Sequence, residues 1–135
     1  MMRVFLDANV LFTAAHNPDG KAAFIIELGA EGYLQLFTSD AAYEEAKRNL
    51  EVKFPDCLPL LNKLITQITL FMADRAALYP EGLPEKDSVI FQAAVACQAT
   101  HFLTGDLRHF GPFMNKPNQT MSIIIQTVSE FIASL

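Results

Sequence analysis

No apolar run in this 135-residue chain reaches the ~18–20 residues that a bilayer-spanning helix needs. A helical membrane protein is therefore not expected. The N-terminus lacks the basic segment, long apolar stretch and small-residue cleavage site of a secretory leader, so the expected location is cytoplasmic. Cysteine is scarce. Cys57 and Cys97 form no metal-binding spacing and read as free, partly buried thiols of a reducing compartment. Charged residues are also sparse, at 19%, and 10 basic against 15 acidic side chains leave a net charge of −5. That balance argues against a nucleic-acid binder that relies on a broad basic surface. Internal repeats and low-complexity segments are missing too. What is present is 51% apolar residues, enough for one domain over residues 1–135 with its own core.

The apolar run Val4-Phe5-Leu6 ends abruptly in Asp7. A run bounded like that reads as a buried strand, residues 3–6, with an acid at its carboxyl end. Ligands of open α/β sheets bind outside such ends. Asn17-Pro18-Asp19-Gly20 is a turn, after which Lys21 to Glu31 reads as a helix with Phe24, Ile25 and Leu28 on one face and Gly32 as its stop. Tyr33 to Thr38 is a second strand, read as alternating. Ser39 and Asp40 suit the N-cap of a helix running to about Phe54, closed by Pro55. Cys57 to Thr66 is a helix with Leu58, Leu61, Leu64 and Ile65 as its apolar face, and Ile68 to Met72 a third strand. A loop with Pro80, Gly82 and Pro84 follows. Asp87 then caps a helix from Ser88 to about Ala99. His101 to Leu103 is a strand running into Thr104-Gly105-Asp106, residues 108–117 are irregular, Ser122 to Ile125 is a last strand, and Thr127 to Leu135 a last helix. Strands alternating with helices predict an α/β fold: a three-layer α/β/α sandwich around a central, mainly parallel sheet of four to five strands, with right-handed crossovers.

In such a sheet, strand ends and the starts of the following helices share one edge. Asp7, Asp106 and Glu45 or Glu44 fall there directly, and Asp87 joins them if the loop before it turns back. Clustered carboxylates repel unless something compensates. Hard divalent cations such as Mg²⁺ or Mn²⁺ are the usual partner, and such a site can activate water against a phosphodiester. Removing four ion-binding acids from the count leaves 10 − 11 = −1, so the acidity is then local. Each acid also has a plainer role. Asp7 and Asp106 suit turns, Asp87 an N-cap, and Glu44 and Glu45 a solvated helix face paired to Lys47 or Arg48. Histidine, cysteine and serine are not placed for rival chemistries, and His16 and His109 read as polar loop residues.

Four segments resemble the PIN domain, a nuclease fold of many bacterial and archaeal toxin components and of several RNA-processing enzymes. They are Val4-Phe5-Leu6-Asp7-Ala8-Asn9-Val10-Leu11, Ser39 to Leu50, Lys86 to Ala94, and Phe102-Leu103-Thr104-Gly105-Asp106. The resemblance implies one or two Mg²⁺ or Mn²⁺ ions and endonucleolytic cleavage of single-stranded RNA leaving 5′-phosphate and 3′-hydroxyl ends. It implies Asp7, Glu45, Asp87 and Asp106 as the acidic quartet, preferring Glu45 to Glu44 because Ala46-Lys47-Arg48 follows. Asn9 and Thr104 match positions that support the acids by hydrogen bonding. Leu107-Arg108-His109 departs from relatives that carry a further acid after the last one, which weakens the case for a second ion. Arg108 has two readings, a phosphate contact or a surface arginine.

By the same resemblance a toxin would have a small antitoxin partner covering the acidic groove. Apolar surface near Phe24, Leu58 and Leu61 would serve that partner or a homodimer, unless those residues are core. Two rival enzymes fit poorly. An aspartyl phosphatase wants a second aspartate where Asn9 stands, and a phospho-receiver wants a lysine where Gln126 ends the last strand. The non-enzyme alternative is a catalytically silent domain that binds RNA or a protein partner.

Overall fold

The computed structural model describes residues 1–135. Five parallel strands form one sheet in the order β3-β2-β1-β4-β5. They are β1 (Arg3–Leu6), β2 (Gln35–Ser39), β3 (Thr69–Phe71), β4 (His101–Leu103) and β5 (Ile124–Gln126). The helices are α1 (Ala8–His16), α2 (Lys21–Ala30), α3 (Asp40–Lys53), α4 (Leu58–Ile65), α5 (Glu85–Ala96), α6 (Leu107–Phe110) and α7 (Val128–Ala133). The chain steps outward from β1 to β2 and β3, then returns past them to β4 and β5. Right-handed crossovers therefore put α1–α4 on one face of the sheet and α5 on the other, giving three layers. No helix is long and apolar enough to cross a membrane.

The central strand explains why the N-terminal run is apolar without alternation. Val4, Phe5 and Leu6 are fully buried because helices cover both faces of the sheet. The same cause corrects the expected alternation in β2, where Leu36, Phe37, Thr38 and Ser39 are all buried. Phe5 and Phe102 are register partners on β1 and β4, and their rings stack at 5.4 Å. Phe91 of α5 and Phe110 of α6 close on the same ring.

Several element limits differ from expectation. The sequence shows no separate cap for α1, because Asp7 is both the strand-end acid and the cap: its carboxylate accepts from the Ala8 amide at 2.8 Å. α5 starts at Glu85 after Pro84, so Asp87 lies inside its first turn and is not the N-cap. It ends at Ala96, not Ala99, because Gln98 takes a left-handed conformation (φ 56°). Met121 and Ser122 also have positive φ, so the last strand begins at Ile124. Residues 108–110, expected to be irregular, join Leu107 in the single turn α6. Leu61 is fully buried and belongs to the core, Leu58 packs partly against it, and Phe24 stays 44% exposed. Cys97 is buried, which pushes its thiol up to about 11 and leaves it unreactive.

Candidate metal centre

Strand order reverses direction between β1 and β4, and their carboxyl ends form the crevice where doubly wound sheets bind ligands. The Asp7 amide extends the ladder by donating to the Leu103 carbonyl at 3.0 Å. This brings Asp7 beside the Thr104-Gly105-Asp106 turn. Thr104 is fully buried, and its hydroxyl donates to Asp7 Oδ2 at 2.8 Å while accepting from the Asp106 amide at 3.0 Å. Asn9, from the first turn of α1, donates through Nδ2 to Asp7 Oδ2 at 3.1 Å and accepts from the Gly105 amide through Oδ1 at 2.6 Å. A Cβ on Gly105 would stand 3.3 Å from that Asn9 oxygen, which suits glycine to the turn.

Three aspartates meet at this edge. Asp7 is buried, and desolvation raises its pKa from 3.8 to about 6 against hydrogen bonds from Thr104, Ala8 and Asn9, with the Asp87 charge raising it further. Asp87 is buried as well. Its pKa is raised, first by desolvation and then by the Asp106 charge, while His109 and Lys86 pull it down. Asp87 Oδ2 and Asp106 Oδ2 lie 3.1 and 2.7 Å from the same atom, His109 Nδ1. One ligand atom from each of Asp87, Asp106 and His109 falls within 4.8 Å of the others.

His109 is thus a site residue that the sequence reading placed in a plain loop. The available signal was its i+3 spacing from Asp106, which becomes meaningful only once 107–110 is helical. His16 is likewise not a loop residue; it ends α1 and stacks on Phe54. Arg108 is exposed.

The fourth predicted acid is placed differently. Glu45 is 17% exposed in its side chain and contacts the Lys86 ammonium. It lines a small cleft with Asn9 and also the neighbouring hollow of α3 and α5, where Glu44 is exposed. The structure therefore brings Asp87, Asp106 and His109 to ligand distance, sets Asp7 beside them through Thr104 and the Asp87 charge, and leaves Glu45 paired to the Lys86 ammonium.

The donor set fits a divalent cation. Asp7 and Asp87 are both buried with their pKa values raised by desolvation and by neighbouring carboxylate charge, a condition that an added positive charge relieves. One imidazole nitrogen beside them suits Mn²⁺ better than Mg²⁺.

Thr104→Val tests the support of this centre. It removes a buried hydroxyl that serves Asp7 and the Asp106 amide, and it is expected to cost about 1–3 kcal/mol. Urea unfolding measures it, and an unchanged midpoint would show that the hydroxyl carries no structural weight.

A family model described as PIN domain matches residues 3–108. Among solved structures, VapBC2 from Rickettsia felis bound to a DNA fragment from its promoter is similar at a TM-score of 0.63 and 14% identity, over 93% of this chain and 98% of that one. VapBC-1 from nontypeable Haemophilus influenzae is similar at 0.57 and 15% identity, over 95% and 99%. No curated protein matches the sequence.

Proposed function

The chain belongs to the PIN domain family, and from that premise we propose that it is a divalent-metal-dependent endoribonuclease acting on single-stranded RNA. The observation that carries this is the convergence of Asp7, Asp87 and Asp106 at the carboxyl ends of β1 and β4, with two of the three held at raised pKa. Asp7, Asp87 and Asp106 would hold the ion, with His109 beside them and Glu45 reaching in when Lys86 releases it. An ion held there would supply an activated water and neutralise charge on the phosphate. The protein's own part is positioning. Asn9 and Thr104 fix the Asp7 carboxylate, and Thr104 fixes the turn that carries Asp106. A single strand fits a shallow edge of this kind because its backbone and unstacked bases can bend into it.

The two solved neighbours are VapBC assemblies. By that likeness we assign the chain the toxin role in a toxin–antitoxin pair, with a small antitoxin as partner and one domain over residues 1–135. One observation favours the rival reading of a silent binding domain: Lys86 already supplies a cation to Glu45. Calorimetric titration with Mn²⁺ separates the two, since saturable binding lost in Asp87→Asn is expected only of a working metal centre.

The functional test uses one RNA as a single strand and as a duplex, each with Mn²⁺, Mg²⁺ or EDTA. Cleavage of the single strand in the metal buffers, with none in EDTA, is the expected outcome. Equal cutting in EDTA would remove the metal-dependent reading.

A further inference from the structure

We propose that the groove between α1 and α3, leading away from the acids, takes one nucleotide of the RNA, its base against the Phe12 ring and its phosphate at Lys53. The proposal rests on the nuclease reading above and names the residues that would choose the base beside the cut.

The groove is written into two helical stripes. Asn9, Phe12, Thr13 and His16 fall at i, i+3, i+4 and i+7 on α1, and Glu45, Asn49 and Lys53 stand four apart on α3. Residues so spaced share one face of a helix, and α1 packs against α3. The stripe from Glu45 to Lys53 rises ~12 Å. Its chemistry changes along the way, from carboxylate to amide to ammonium. A cleft of about 170 Å³ is lined by Asn9, Phe12, Thr13, Glu45, Asn49 and Lys53. Asn9 and Glu45 thus join it to the acidic edge.

The far end carries an aromatic platform. His16 stacks on Phe54 at 3.8 Å, and Phe54 leans on Phe12 at 6.0 Å, so the three rings brace one another. Lys53 Nζ lies 5.7 Å from the Phe12 ring centroid, so an exposed lysine side chain covers one face of this half-buried ring. Thr13 and Asn49 are exposed at the rim, where hydroxyl and amide can meet the edge of a base. A π face beside a single cation, next to groups that act on a phosphodiester, suits unpaired nucleic acid. A basic arm from a protein partner would meet the like charge of Lys53 at this end.

The test is fluorescence anisotropy of a labelled ten-nucleotide RNA with the full chain in EDTA, where binding is read without cutting. Phe12→Leu keeps an apolar side chain but loses the ring face, and a roughly tenfold weaker affinity is expected. Lys53→Met should reduce the salt dependence of log K by about 0.7. Phe12 is half-buried, so Asn49→Ala at an exposed position is the second reading, expected to weaken binding several-fold with an unchanged melting temperature. Wild-type-like binding by all three variants, or no RNA binding by the wild type, overturns the proposal. The nuclease reading fails separately. RNA that binds, weakens with these variants and is never cut in Mn²⁺ removes the enzyme and keeps the groove.

Discussion

Asp7→Asn is expected to cut RNA ~10²–10³-fold more slowly than the wild type, in line with losing one positioned charge at a reacting centre. In EDTA at pH 7.5 the same variant should also melt higher. The second effect follows from linkage. Burial raises the Asp7 pKa from 3.8 to about 6, so between those values the folded chain binds a proton that the unfolded chain has released. Stability contributed by the group is therefore full below about pH 4 and falls as pH rises through about 6, by about 3 kcal/mol in all. An amide does not ionise and escapes that fall. It does face the Asn9 Nδ2 donor, a mismatch that costs about 1 kcal/mol. The net gain of about 2 kcal/mol corresponds to a melting temperature roughly 5–8 °C higher. At pH 4 the advantage should vanish, and saturating Mn²⁺ should stabilise only the wild type. A variant that melts below the wild type at pH 7.5 in EDTA would show that Asp7 is not a strained charge.

Phe102→Ala is expected to destabilise the fold by about 3–5 kcal/mol, the range for deleting a buried aromatic ring. Phe102 is fully buried, and Phe5, Phe91 and Phe110 all face its ring within 5.5 Å. The loss would take a large share of the ~5–15 kcal/mol that holds an ordinary domain together. It would also loosen the β1–β4 pairing that sets Asp7 beside Thr104, so metal binding should weaken with stability. Urea unfolding gives the first number and calorimetry the second. Leu107→Ala, at a position 57% exposed, is the control and should stay within about 0.5 kcal/mol of wild type. A Phe102→Ala midpoint that matches this control would contradict the account of the core.

The strand-end acids were legible because their signal is local. A short apolar run stopped by Asp7, and another stopped by Thr104-Gly105-Asp106, each mark a buried strand and its carboxyl end. The parallel sheet followed from elements that alternate along the chain. The first helix was not legible because its cap is the same Asp7 already read as a site residue. The start of α5 was misplaced for a related reason: aspartate is a common cap, and only the fold shows that Pro84 ends the loop and Glu85 begins the helix. His109 was missed because its meaning lies in two contacts, one to Asp106 within its own turn and one to Asp87 on another helix. The second cannot be read from spacing. Glu45 was chosen over Glu44 by family resemblance, and its pairing with Lys86 depends on how α3 and α5 approach each other, which no local sequence pattern encodes.

The central claim is that these acids direct water to a phosphodiester of single-stranded RNA, and the ends of the products test it most directly. RNA digested by the purified chain in Mn²⁺ should carry 5′-phosphate and 3′-hydroxyl ends, formed ~10²–10³-fold more slowly by Asp7→Asn and not at all by wild type in EDTA. Ends bearing a 2′,3′-cyclic phosphate, or the same products formed by Asp7→Asn at the wild-type rate, would contradict it.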